Sequence, residues 1–226
     1  DWKLILLAFG GVSLLSVIWL GFTNIEEKQF TGEKATIGSC LSLLRIGYVT
    51  LMVLAIFFVV GIDVGINSTS GQFLMSEIGM DIEPAKQGRS LYFFGKMLGA
   101  FAGALLLTLV SSRKFLFGSA VLTLITTMGL IYAPSPFMAL LFMFLIGISA
   151  ANIFPLVYSL TIQKFPERSN EISGLMIMSI SGGALVPPVV GKIIDMFSFS
   201  AGMFVFVFCA IYILFVSIYV FKKKAE

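Results

Sequence analysis

Asp63 and Asn67 stand four residues apart in the run GIDVGINSTSGQ (61–72), and Ser70 follows three residues later, all inside one of the most apolar tracts of the chain. On a helix that spacing puts the three on one face. A carboxylate, an amide and a hydroxyl aligned in this way can bind a ligand with several hydrogen-bonding groups, or can meet an ion-pair partner on a neighbouring helix. Lys96 is a candidate partner, lying a turn or more into the apolar run that begins at Leu91. An ammonium at that depth must snorkel or find an acid. Two readings of Asp63 therefore stand side by side, a group on a ligand pathway or a tie between two helices.

The elements that must position these groups follow from composition. Of 226 residues, 58% are hydrophobic and only 12% charged, and the mean hydropathy is +1.01. Soluble domains carry about 25% charged residues, so this chain is an integral membrane protein. Seven apolar tracts are long enough to cross a bilayer as helices: Leu4 to Phe22, Ile46 to Leu74, Leu91 to Val110, Phe115 to Tyr132, Phe137 to Thr161, Ile172 to Phe197 and Gly202 to Phe221. They are too long and too poor in strict alternation for the strands of a membrane barrel, so an all-α membrane fold is expected. Only Thr23 to Leu44 and Met75 to Ser90 read as long connections.

Charge sets the expected orientation. Lys28, Lys34, Arg45, Arg113, Lys114, Lys164, Arg168, Lys222, Lys223 and Lys224 fall on one set of loops, whereas Lys3, Lys86, Arg89 and Lys192 on the other are interleaved with acids. Cytoplasmic loops carry the excess of Lys and Arg, which puts the first residue of the chain outside and the last inside. That bias accounts for the net charge of +3, and with no further basic patch a nucleic-acid partner is not expected.

Several function classes fall away. The chain has no His, and Cys40 and Cys209 stand alone, so no metal site, disulfide framework or cofactor is expected. Without a nucleophile and base pair, an enzyme is not expected. A retinal protein would need a Lys in the last span, and a seven-helix receptor an acidic-Arg-aromatic triplet after the third; Gly202 to Phe221 has no Lys, and VSSRKF (110–115) lacks the acid. The first tract lacks a small-x-small cleavage site and so reads as a span rather than a leader. The chain begins with Asp rather than Met, which fits a piece of a longer polypeptide.

Helix contacts are legible too. Gly95, Gly99 and Gly103 recur every four residues, a small-residue stripe that lets a neighbouring helix approach closely. Pro155, a turn beyond Asn152, cannot donate to the carbonyl of Ala151, and Pro187 and Pro188 release those of Gly183 and Ala184 beside the pair Gly182 and Gly183. Both places are expected to bend, the second as a hinge.

With these residues in view, the chain resembles the major facilitator superfamily, and within it the fucose permease-like sugar:proton symporters. The likeness rests on FFVVGIDVGINS (57–68), FFGKMLGAF (93–101), GISAANIFPLVYSLTIQ (147–163) and SGLMIMSISGGALVPPVVGKIIDMF (173–197). Two departures stand out, Asp63 where the family usually has Glu and Lys96 where it has Arg; the signs are kept but reach and geometry change.

The resemblance implies a twelve-helix transporter of two six-helix halves working by alternating access. The second to seventh spans here would be its C-terminal half (45–226), the first span (1–22) would end the N-terminal half, and 23–44 would be the cytoplasmic linker between halves. The implied partners are a small sugar, a proton, the lipid bilayer of a bacterial inner membrane and the missing N-terminal half, whose acids would carry the proton. The alternative is a half that pairs with a second copy of itself into a transporter or channel. A sugar needs several hydrogen bonders and an apolar platform. The expected site residues are Asp63, Asn67, Gln72, Lys96, Asn152, Tyr92, Phe94 and Tyr158, with Gln163 of a suitable type and Pro155, Gly182, Gly183, Pro187 and Pro188 as hinge positions. Gly61, Gly65 and Gly71 would permit a bend around Asp63.

Overall fold

The computed structural model describes residues 2–23 and 36–222, and in these every regular element is helical. The sequence-expected linker therefore lies largely outside the described residues, as do Lys28, Lys34, Lys223 and Lys224. The chain divides into two units, Asp1–Lys34 and Ala35–Glu226. The first holds a single helix, α1 (Trp2–Phe22). Ser13 and Ser16 donate to the carbonyls of Phe9 and Val12, so its few hydroxyls are satisfied within the helix.

The second unit begins with a short helix, α2 (Ile37–Ser42), started by a reciprocal cap in which the Thr36 side chain accepts from the Ser39 N–H and the Thr36 N–H donates to Ser39 Oγ. A 3-10 turn over Leu43–Arg45 leads into α3 (Gly47–Ser76), a 30-residue helix. At 1.5 Å per residue such a helix is about 45 Å long and outreaches a ~30 Å hydrocarbon layer. Next come α4 (Ile82–Leu106), α5 (Ser112–Ile131), α6 (Pro136–Ala150), α7 (Ile153–Lys164), α8 (Ser169–Met178), α9 (Gly182–Met196) and α10 (Phe199–Lys222). Among the described residues six helical segments are long and apolar enough to cross a membrane, with α6 and α7 together forming one and α8 and α9 another. The remaining tract, α4, is long enough but diluted by Glu83, Lys86, Arg89 and Lys96.

α4 starts nine residues before the apolar run at Leu91, so most of the expected Met75 to Ser90 loop is helix. The true connection is a tight reversal at Gly79, whose φ of 71° is accessible to glycine at little cost. It returns the Met80 N–H to the Leu74 carbonyl at 3.0 Å.

α3 is the central helix, packed on α4, α7, α9 and α10, while α4 lies along α6 and α5 lies between α6 and α10. Its buried side, including Met52, Ile56, Ile62, Ile66 and Phe73, forms the middle of the core. Gly61 and Gly65 lie within its unbroken helical run. They are sockets, the first filled by Val186 of α9 and the second by Phe206 of α10.

The glycine stripe on α4 behaves as its spacing requires. A Cβ on Gly95 or Gly99 would strike the backbone carbonyl of Phe144 or Ile148 on α6, and one on Gly147 of α6 would strike the Tyr92 carbonyl on α4. The two backbones touch because neither carries a side chain there.

Both proline-bearing spans are interrupted, though not in the same way. Between α6 and α7 the helix breaks at Ala151–Asn152, and Pro155 sits in the first turn of α7, where no N–H partner is needed. In the other span the break is the 3-10 turn Ser179–Ser181, and Pro187 and Pro188 lie within the helix α9 that follows. Gly182 serves contact, because a Cβ there would overlap the Phe57 carbonyl of α3, and Gly183 is covered by Val60 and Val64. The 3-10 turn thus ends directly before Gly182, the first of the expected hinge positions, and about two turns upstream of the prolines.

At the end of the bundle that holds α2, Arg168 grips Glu171 with two hydrogen bonds, 2.6 and 3.1 Å, and also donates to the Ser39 carbonyl at 3.3 Å. Nearby, Lys164 lies 4.2 Å from the centre of the Tyr48 ring, a cation–π contact between α7 and α3.

Gly147→Leu should separate α4 from α6 and cost about 1–3 kcal/mol or more through overpacking. Gly118→Leu, at a position with open space around it, should leave melting unchanged. A thermal scan of both variants in detergent checks the contrast.

Candidate functional site

The polar run in α3 is mostly spent on the helix itself. Ser68 and Thr69 both donate to the Gly65 carbonyl, at 2.9 and 2.8 Å, and the Asn67 side-chain amide donates to the Asp63 carbonyl at 2.7 Å. Such back-bonding satisfies hydroxyls and amides that would be costly unpaired in an apolar medium. Ser70 is buried on the core side. The Asp63 carboxylate is what remains, and its partners come from α4.

Lys96 Nζ donates to Asp63 Oδ2 at 2.7 Å, and the Tyr92 hydroxyl donates to Asp63 Oδ1 in a short hydrogen bond. The Asp63 and Lys96 side chains keep 29% and 34% of their exposure, whereas Tyr92 is wholly buried. Tyr92 and Lys96 are one turn apart on α4, so both reach the same acid from one face. A turn earlier, Arg89 directs Nε and Nη2 onto the backbone carbonyl of Asn67. Three groups of α4 thus converge on one turn and a quarter of α3.

Beside this cluster a pocket of about 320 Å³ opens between the two helices, lined by Asp63, Val64, Asn67, Ser68, Arg89 and Phe93. That volume lies at the lower end of the range for small-molecule sites, about 300–1,000 Å³. Its floor includes an unusual acceptor: Asn67 Oδ1 is buried and has no hydrogen-bond partner.

The other expected residues disperse. Gln72 is exposed further along α3, with its backbone carbonyl accepting from Ser76. Tyr92 contributes its hydroxyl but no open ring face. Phe94 stacks on Phe144 at 6.1 Å, 200° around α4 from Tyr92 by helix geometry. The ring that lines the pocket is its neighbour Phe93. Asn152 donates to the Gly99 carbonyl at 2.7 Å and fills the space over Gly103, so it braces α4 against the break between α6 and α7. Tyr158 donates to Ser173 Oγ at 2.9 Å and stacks on Phe154, linking α7 to α8. Gln163 bonds Ser159 on its own helix. Val64, Ser68, Arg89 and Phe93 were not anticipated. The spacing Arg89, Phe93, Lys96, four and then three residues, marks them as one face once α4 is known to begin at Ile82.

Among the described residues no cluster of His, Cys, Asp and Glu could hold a metal.

A model of the Major Facilitator Superfamily matches residues 52–226. This chain belongs to that superfamily. It is 28% identical over 176 residues to the putative glucose/galactose transporter of Helicobacter pylori strain 26695, a match covering 76% of this chain and 43% of that protein. It is 28% identical over 168 residues to the glucose/mannose transporter GlcP of Bacillus subtilis, covering 72% and 41%. The chain therefore spans about two fifths of the curated relatives it matches. In structure it is similar to the E. coli fucose:proton symporter FucP, with a TM-score of 0.80, 21% identity, and coverage of 92% of this chain and 52% of that one. A second FucP structure, in the outward conformation, gives 0.78. The likeness to FucP shows the fold, a helical membrane bundle of superfamily type.

Asp63→Asn should strand the Lys96 ammonium at a site about one-third exposed, lowering stability by about 1–3 kcal/mol, between the values for surface and buried pairs. Lys96→Met should recover part of that loss in the double variant. Melting of the two single variants and the double variant measures the coupling.

Proposed function

We propose that this chain forms one half of a proton-coupled transporter for a small sugar, which moves its substrate by alternating access. The observation that carries this reading is the acid of α3, held by Lys96 and Tyr92 of α4, at the mouth of a pocket with an aromatic wall. The names of the curated relatives support a hexose as substrate, and the coverage of 43% of one of them supports a complementary half. In this reading residues 45–226 are the C-terminal six-helix domain, 1–22 the last helix of the other half and 23–44 the linker between them.

The chemistry follows from the lone pairs. Each Asp63 oxygen accepts one bond from α4 and retains a second acceptor site for a sugar hydroxyl. Ser68 supplies a hydroxyl that can accept while it donates to Gly65. The apolar face of the sugar ring lies on Phe93 and Val64. The coupling proton is assigned to acids of the complementary half, and the breaks at Ala151–Asn152 and Ser179–Ser181 absorb the bending of their spans as access alternates. The membrane is a bacterial inner membrane, with α1 entering from outside and α10 ending in the cytoplasm.

In proteoliposomes containing the intact transporter, Asp63→Asn should raise the half-saturation for glucose or galactose about tenfold, the loss of a hydrogen bond to a charged group. A pH-sensitive dye inside the vesicles should report acidification with uptake by the unmodified protein. Uptake unchanged by the substitution would remove Asp63 from the site. Cys variants at Lys86, Lys114 and Lys164, labelled by an impermeant maleimide, should react from outside only at residue 86. Labelling of residues 86 and 164 from one face would reverse the topology.

A further inference from the structure

The pocket between α3 and α4 carries an unbalanced charge. Asp63 is neutralised by Lys96 at 2.7 Å. Arg89 lines the same pocket, and its contacts are with a neutral group, the backbone carbonyl of Asn67, to which Nε and Nη2 both donate. Glu83 pairs with Lys86 at 2.7 Å, Glu77 accepts from the Ser200 hydroxyl at 2.9 Å, and neither these acids nor Asp81 at the start of α4 pair with Arg89. Among the described residues no acid lies within ion-pair distance of Arg89. The sum over Asp63, Lys96 and Arg89 is one positive charge, next to the apolar side chains of Phe93 and Val64.

Guanidinium has five N–H donors in a planar fork. The Asn67 carbonyl takes two of them, and the remaining edge of Arg89 is free to meet a planar anion side by side. The buried, unpartnered Asn67 Oδ1 is a second sign that the pocket is incomplete without a ligand, because a small shift of that side chain offers an acceptor to a ligand hydroxyl.

We infer that the sugar taken by this site bears a carboxylate, a hexuronate, with its carboxylate on Arg89 and its ring on Phe93. This rests on the sugar-transport reading and narrows it. A carboxylate brings the pocket to neutrality. A phosphate monoester carries close to two negative charges at neutral pH and would leave an excess of negative charge, so the match is to the monoanion.

The test uses the intact transporter in proteoliposomes, with radiolabelled D-glucuronate and D-glucose as substrates and D-glucose 6-phosphate as a competitor. Glucuronate should be taken up in preference to glucose. Arg89→Gln should reduce the ratio of glucuronate to glucose uptake about tenfold or more, the worth of a charge-assisted pair, and Arg89→Lys, which keeps the charge but loses the fork, should fall between. If Arg89 only fastens α4 to α3, Arg89→Gln will lower both uptakes together and leave their ratio unchanged, which overturns the inference. Glucose uptake without glucuronate uptake or competition overturns it too, while leaving the sugar-transport reading intact. Competition by glucose 6-phosphate stronger than by glucuronate overturns the assignment to a carboxylate. Uptake of neither sugar removes both readings together.

Discussion

The contact on which the rest of the bundle depends is the one between the backbones of α4 and α6. In lipid there is no hydrophobic drive to bring two apolar helices together, and association relies on close packing. Gly95, Gly99 and Gly147 remove the side chains that would hold those backbones apart. The rotation of α4 is thereby fixed: with its glycine face against α6, the adjoining face turns toward α3 and carries Arg89, Tyr92, Phe93 and Lys96 to the turn around Asp63. The pocket is a by-product of that rotation. A different angle would bring Phe94 forward and move Lys96 away from its acid.

The same logic explains why polar groups are tolerated in α3. Ser68, Thr69 and Asn67 bond to carbonyls of their own helix, which costs the bundle little. Asp63 cannot be satisfied by a carbonyl and needs donors from elsewhere. It receives them from an amine and a phenol on one helix face, a tie between the two helices that Arg89 extends one turn further at the Asn67 carbonyl. Asn152 does similar work at a break, supplying a donor to the Gly99 carbonyl where α6 gives way to α7.

Spans, glycine stripe and the Asp63–Lys96 pair were all legible in the sequence, because each depends on residue types at helical spacing or on opposite charge within an apolar medium. The start of α4 was not. Glu83, Lys86 and Arg89 make that segment read as a loop, and only the reversal at Gly79 shows that the helix begins earlier. With that boundary displaced, Arg89 reads as a loop charge, and the ring at the pocket is Phe93 rather than the expected Phe94, 100° away around the helix axis. Asn152 and Tyr158 were of suitable types, but their partners, Gly99 and Ser173, lie on other helices or across a break, and sequence spacing carries no information about such distances. The prolines of α9 mark where carbonyls are freed, whereas the 3-10 turn at Ser179–Ser181 just before Gly182 has no proline to announce it in the sequence.

The grip of Arg168 on Glu171 and on the Ser39 carbonyl has a mechanical consequence. Thr36 and Ser39 cap α2, and α2 is hydrogen-bonded through Ser39 to the residues that begin α8. A pull on the polypeptide at Thr36 is therefore shared between two routes, one along the backbone into α3 and one through a guanidinium into α8. The load reaches two spans at once, so the capped turn of Thr36 and Ser39 acts as a crossbar between α3 and α8.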